Sequence, residues 1–251
     1  MNMQEIRQTS QEYSDNIHAR QWLNRWLVPA PALNLHSPHS ESTATVQQYV
    51  ARQFFQTYGA SVHEFLPIFL SLSCRDQLSA VTGIRPVTAS PLFLEQYLDN
   101  PIELEINRYS SVPVARHQIA EIGNLAATQR GSSQLLFILL AATLQRANFE
   151  WLVFTATPQV RKAISKLGFE LHPVADARAS RLQTSSEEEW GSYYQTRPVV
   201  VAGQLAQAIE VINERKTLRA ALSFYDARID SLTKEQLQLR GVNSADYSFA
   251  A

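Results

Sequence analysis

The sequence predicts an α/β fold of the α+β kind, in which a mixed central sheet is flanked by helices. Three observations predict it. Between Glu121 and Glu170 a strand, a glycine turn, a helix and a second strand follow one another, the order of a parallel strand–helix–strand unit. Ahead of that unit, two apolar runs are separated by Arg75-Asp76-Gln77 and read as an antiparallel hairpin. The longest apolar run, Leu135 to Leu144, is about half of what a bilayer-spanning helix needs, so it is a buried core helix.

Each element follows from local chemistry. Gln11 to Val28 has helical character and sets Trp22 and Trp26 four apart on one face. Pro29, Pro31 and Pro38 then break the chain into an extended link, so residues 1–41 form an N-terminal extension. From Ser42 the spacing of Val46, Val50 and Phe54 predicts a helix that Gly59 ends. The hairpin occupies Phe65 to Ser73 and Leu78 to Val87. Phe93 to Leu98 is a short helix, and Pro101 begins a new turn. Ile119 to Ala127 is a half-apolar strand leading into the small-residue turn Arg130-Gly131-Ser132-Ser133, where a helix opens. Trp151 to Ala156 is the next strand. Thr157-Pro158 starts the helix after it, as an N-cap followed by proline at the first helical position, and Gly168 closes that helix with positive φ. After Pro173 the chain is polar as far as Trp190. Pro198 to Ala202 is a late strand, and Gln204 to Arg240 is largely helical. The expected division is a main domain over 42–203 and a C-terminal helical appendage over 204–251, with no internal repeat.

Composition excludes several functions. Across 251 residues the net charge is −1, with no basic excess for a nucleic acid to meet. Cys74 is the single cysteine, so no intrachain disulfide forms, and it has no evident activating histidine. His36, His39, His63, His117 and His172 lack the spacing of zinc ligands, so no metal is expected. No Gly-x-Ser-x-Gly elbow occurs. Met1 to Asp15 is polar, without the apolar core of a signal peptide, and no transmembrane segment is present, so a cytoplasmic location is the expectation.

The turn at Gly131 carries the chemistry. The first N–H groups of a helix lack internal partners and carry the positive end of the helix dipole. A Gly-Ser-Ser entrance lets a diphosphate approach that backbone. The turn lacks Gly-x-x-x-x-Gly-Lys-Ser/Thr and Gly-x-Gly-x-x-Gly, which argues against nucleoside triphosphate and dinucleotide sites. The remaining candidate is the pyrophosphate of coenzyme A.

Here the segment resembles the GNAT acyltransferase superfamily, whose signature is Gln/Arg-x-x-Gly-x-Gly/Ala before a Leu-rich helix and a later Leu-Gly-Phe. Gly131 takes the central glycine position, Ser133 the second small one, and Leu167-Gly168-Phe169 the later motif; Thr128 stands where Gln or Arg is usual. The blocks Phe54 to Ala60, Phe65-Leu66-Pro67, Pro91 to Leu98, Glu121 to Ala126 and Trp190 to Tyr194 resemble the thermostable haemolysin family. That family is similar to the acyl-homoserine-lactone synthases, which are GNAT relatives. The resemblance implies a GNAT-like sheet whose central parallel strands splay, freeing the backbone of Asn124, Leu125 and Ala126 for a pantetheine arm. It also implies that Arg130, Gly131, Ser132 and Ser133 hold the phosphates.

An amine attacking a thioester must lose a proton, and a carboxylate on the central strand suits that task. Glu121 is the first candidate, its alternative role being a strand residue salt-bridged to Arg116. Glu95 and Asp99, with Arg116, are candidates for holding the acceptor. Many GNAT enzymes stabilise the leaving thiolate with a tyrosine at the position of Ile164, and Tyr193 or Tyr194 are its substitutes here. The expected activity is N-acyl transfer to a small-molecule amine. Its co-substrate is acyl-CoA or an acyl carrier protein, without a permanently bound cofactor. The alternatives are a membrane-active lytic protein, as the family name implies, and a non-catalytic binding scaffold.

Overall fold

The computed structural model of the protein describes residues 30–38, 40–87, 91–129, 131–183 and 187–240, with 235–240 as backbone only. The predicted helix bearing Trp22 and Trp26, and the side chains of His39 and Arg130, lie outside these residues.

Among the described residues seven strands form one sheet: β1 (Ala32–His36), β2 (Ile68–Cys74), β3 (Gln77–Pro86), β4 (Ile119–Ala127), β5 (Trp151–Ala156), β6 (His172–Asp176) and β7 (Val199–Gln204), in the order β1-β2-β3-β4-β5-β7-β6. Only β4 and β5 pair in parallel; the other neighbours are antiparallel. The β2–β3 hairpin turns through Arg75 and Asp76, both at positive φ, as the sequence predicts.

Alternation along the strands sorts side chains onto two faces. Ile68, Leu70 and Leu72 join one core, while Phe69 joins another on the opposite face. Over the first face lie α3 (Ser132–Arg146), α4 (Pro158–Leu167), α5 (Leu205–Glu214) and α6 (Lys216–Arg240). The second face is covered by α1 (Thr43–Tyr58), a 3-10 turn at Phe93–Tyr97 and α2 (Ile102–Ile106). The Thr157 hydroxyl caps α4 by accepting from Val160 N, and Gly168 ends it at φ 84°.

Two expectations about the ends of the domain change. The helices after Gln204 are a structural layer rather than an appendage. α3 is apolar all round because the sheet packs on one side and α5 and α6 pack on the other, burying Ile212, Leu222 and Ile229. The proline-rich link contains β1, with Leu33 in the core. α6 covers this edge strand: the Tyr225 hydroxyl donates to Pro31 O at 2.7 Å and Arg228 Nε to Leu33 O at 2.9 Å. An edge covered in this way does not invite further strand pairing. β6, inside the stretch read as polar, is the other edge, where Pro173 costs no ladder hydrogen bond.

Candidate active site

The parallel strands at the centre of the sheet separate after three rungs. Ile119, Ala120 and Glu121 pair with Trp151, Leu152 and Val153, and no pairing continues beyond them. A bulge in β4 accompanies the parting. Between the pairs Gly83–Gly123 and Val81–Ala126, Asn124 and Leu125 stand opposite the single residue Thr82. Asn124 sits there at φ 49°, a left-handed conformation that asparagine tolerates. Its side chain accepts from Leu66 N at 2.8 Å and donates to Glu64 O at 3.2 Å, pinning the loop after α1 across the fork. A Cβ at Gly83 would lie 2.9 Å from both Leu66 Cβ and Asn124 Oδ1, so only glycine leaves room for that loop.

A cavity of about 520 Å³ opens at this fork. Its floor is Ile122 to Leu125 of β4 with Phe154 and Thr155 of β5, and its walls include Phe54, Tyr58, Phe65, Leu66 and Trp190. Ile68 to Leu72, the apolar stretch beyond Phe65, is buried in the sheet rather than in the cavity wall.

Glu121 occupies the last paired rung and faces the cavity. It is 3 % exposed. Leu94 N donates to its Oε1 at 3.0 Å, and Arg85 Nη1 lies 3.4 Å from Oε2. Burial pushes this carboxyl above the usual carboxylate range; Arg85 and the backbone N–H groups of Leu94 and Phe93 oppose the rise without cancelling it. The partner is Arg85 rather than Arg116 because the β3–β4 register sets Arg85 directly opposite Glu121.

An aromatic strap closes the other side. It runs from Glu187–Trp190 to Tyr194–Thr196 and is tied to the end of α1, with Ser61 N donating to Glu189 O at 2.7 Å and Ser192 N to Tyr58 O at 2.8 Å. Gly191 permits the tie: its φ is 53°, and a Cβ there would come within 3.0 Å of the Gly59 carbonyl carbon. The strap delivers Tyr193, 8 % exposed, to the cavity in edge-to-face contact with Tyr58. Burial, then the nearby Tyr97 and Tyr58, push its phenol up, so it stays a neutral donor. Tyr194 points away and shares a hydrogen bond with Tyr97, whose phenol burial raises to about 12. Ile164 is buried in the core, as far from this role as its side chain implies.

The remaining sequence candidates divide. Leu125 lines the cavity, Ala126 is buried and paired with Val81, and the Asn124 side chain is committed to the loop. Gly131 is the N-cap of α3 at φ 88°, and Ser132 and Ser133 open that helix at the far end of β4 from Glu121. The Ser132 hydroxyl is buried without a hydrogen-bond partner among the described residues. Glu95, Asp99 and Arg116 do not line the cavity. Glu95 binds Arg116 at 2.7 and 2.8 Å and accepts from Leu92 N and Ile102 N, and Arg116 also binds Glu103. Burial would raise the Glu95 carboxyl, yet Arg116 and the two N–H groups hold it below its ordinary value. Asp99 pairs with Arg181 on the surface. This is a structural ion cluster that fixes the segment donating to Glu121. Among the described residues no group of three or more His, Cys, Asp or Glu could hold a metal ion.

Residues 36–209 match the family model described as thermostable hemolysin, which spans more than half of the chain. The chain belongs to the thermostable hemolysin family. No curated protein matches it. Among solved structures, apo TofI is similar at TM-score 0.50 and 11% identity, over 74% of this chain and 99% of that one. FeeM, an N-acyl amino acid synthase from uncultured soil microbes, is similar at 0.49 and 16%, over 76% and 97%. MesI, a CoA-dependent acyl-homoserine lactone synthase, is similar at 0.46 and 14%, over 76% and 95%. At these identities the likeness is one of fold, and this member of the hemolysin family has the GNAT-like sheet that its sequence predicts.

Arg85, Phe54 and Tyr58 were not among the sequence candidates. Arg85 carried a signal, as the single charge in the apolar run Leu78 to Val87. The two aromatics carried none, because their stripe on α1 reads equally well as core.

Proposed function

We propose that the protein transfers an acyl group from a phosphopantetheine thioester, on coenzyme A or a carrier protein, to an amine. The observation that carries this reading is a buried carboxylate, Glu121, at the fork of two parallel strands and facing a largely apolar cavity. The unpaired strand edges beyond the fork offer hydrogen bonds to an extended pantetheine arm. Past them, the Gly131-Ser132-Ser133 turn presents a helix N-terminus and a buried hydroxyl without a partner among the described residues to its phosphates.

The chemistry balances on this chain's own groups. An ammonium acceptor loses two protons in becoming an amide nitrogen. Glu121 takes the first, and its raised carboxyl makes it a stronger base than an exposed carboxylate. Nitrogen attacks the thioester carbonyl, the C–N bond forms and the C–S bond breaks. Tyr193 donates toward the departing sulfur, which leaves as a thiol with the second proton. In this reading Glu95 and Arg116 position the segment above Glu121 and touch no substrate.

Thermal shift and native mass spectrometry with acetyl-, octanoyl- and palmitoyl-CoA test donor binding, and thiol release with an amine panel tests transfer. Gly131→Asn and Gly131→Asp both tolerate positive φ, but only the aspartate adds a negative charge, so the aspartate variant should bind CoA several-fold more weakly. Equal affinities would count against the phosphate turn. The family description implies lysis instead. Among the described residues no helix is long and apolar enough to cross a membrane; dye release from liposomes in the absence of any thioester would favour that reading.

A further inference from the structure

Among the described residues lining the cavity, Arg85 is the single arginine or lysine, against three carboxylates, Glu64, Glu121 and Glu189. Its position is fixed by strand pairing rather than by a mobile loop, directly opposite Glu121 across β3 and β4. The contact between them, 3.4 Å from Nη1 to Oε2, is long for a charge-assisted hydrogen bond, which is about 2.7–2.9 Å when tight. The carboxylate is instead held by the shorter bond from Leu94 N. Arg85 therefore restrains Glu121 loosely. A guanidinium is a planar fork whose geometry matches a carboxylate in bidentate fashion.

Resting on the acyl-transfer reading, we propose that the acceptor amine carries its own carboxylate, as an amino acid does, that Arg85 binds it, and that this binding frees Glu121 to act as the base. The cavity is built for such a zwitterion. Its carboxylates attract the ammonium and its one guanidinium attracts the acid. The coupling follows from which groups face Glu121. Arg85 from β3 and the N–H groups of Phe93 and Leu94 favour the ionised carboxylate, whereas burial and Glu95 disfavour it, and Tyr97 stands close by. When a substrate carboxylate shares Arg85, the strongest group opposing protonation is drawn away and Glu121 becomes more basic. An amine without a carboxylate lacks both the anchor and this release.

The test uses the full chain and matched pairs: leucine with isoamylamine, and phenylalanine with phenethylamine. Binding is followed by thermal shift and by saturation-transfer NMR, and thiol release from octanoyl-CoA is followed in parallel. The amino acid should bind and react about 10- to 100-fold better than its decarboxylated partner, as expected for one desolvated guanidinium–carboxylate contact. Arg85→Gln should collapse that ratio to near unity, and Arg85→Lys should restore it only in part, because a lysine keeps the charge and loses the fork. The acid limb of the rate profile should lie at higher pH with the amino acid than with the amine. Equal binding of the two members of a pair, or an unchanged ratio in Arg85→Gln, overturns the inference while acyl transfer stands. Selective binding of amino acids without thiol release from any thioester sinks the acyl-transfer reading and leaves Arg85 as the anchor.

Discussion

Glu121→Gln separates catalysis from stability in opposite directions. Glutamine has the shape of glutamate and keeps an acceptor for Leu94 N, so the packing of the fork is retained. It cannot take a proton. A positioned general base contributes about 10²- to 10⁴-fold, which at about 1.36 kcal/mol per decade is about 3–5 kcal/mol of barrier. Stability should move the other way. Because the folded Glu121 carboxyl lies above its unfolded value of 4.5, the folded state holds more protons across the window between the two, and stability falls as pH rises through it. Ionised Glu121 is a buried charge that burial disfavours and Arg85 offsets only in part. The glutamine variant should therefore melt no lower than the wild type at neutral pH and lose any advantage below pH ~4. Thiol release against pH, with melting curves over the same range, reads both effects. The wild-type rate should show an acid limb above the ordinary carboxylate range, and the variant should lack it. A variant within about threefold of wild-type activity, with its acid limb intact, would remove Glu121 as the base.

Substitutions at three further positions read the scaffold around it. Gly191→Ala should cost at least about 2 kcal/mol, because its backbone lies at φ 53° and a Cβ would press on the Gly59 backbone; thermal melts and acceptor KM should both worsen as the strap lifts. Asn124→Ala strands the Leu66 N–H and should cost about 1–3 kcal/mol, while Asn124→Gly, which relieves the φ of 49°, should cost less; urea melts of the two distinguish strain from the lost hydrogen bonds. Arg116→Gln leaves Glu95 and Glu103 without their shared cation and should cost about 2–3 kcal/mol at neutral pH. Since Glu95 is held below its value of 4.5, the stability it contributes is present above that pH and is lost as pH falls through its folded value, so the Arg116→Gln deficit should shrink in acid. A loss of activity out of proportion to stability in Arg116→Gln would return Arg116 to the substrate site.

What the sequence made legible was local. The bounds of β4 and β5, the αL ends at Gly59 and Gly168 and the Thr157 cap follow from propensities and turn chemistry within a few residues. Glu121 could be singled out because it is a carboxylate on the central strand just before Asn124, where the resemblance places the edge for a pantetheine arm. What stayed hidden was register and distance along the chain. One extra residue in the bulge at Asn124–Leu125 decides that Glu121 faces Arg85 instead of some other neighbour, and no local pattern encodes it. β1 is a strand because it pairs with β2, and Tyr225 and Arg228, almost two hundred residues later, bond the carbonyls of Pro31 and Leu33 along its outer edge. Glu95 and Asp99 were candidates because an acidic pair on or beside a short helix could hold a substrate ammonium; the pairing of Glu95 with the distant Arg116, together with two backbone N–H groups, is not encoded nearby in the sequence.

The fork itself explains why the proposed base stands where it does. A residue one rung earlier than Glu121, at Ala120, points into the opposite core. A residue beyond it, at Gly123, lies on strand backbone that has already left β5, where water and ligand would compete for it. At the last paired rung one side of the Glu121 side chain meets a packed sheet while the other meets the cavity. That position supplies both properties a general base needs: burial enough to raise its carboxyl, and an open path to the reacting nitrogen. Antiparallel pairing with β3 then provides a guanidinium at fixed distance without a dedicated loop. The same bulge that parts the strands also sets this register, so the opening proposed to admit a thioester and the pairing that tunes the proposed base share one cause in the backbone.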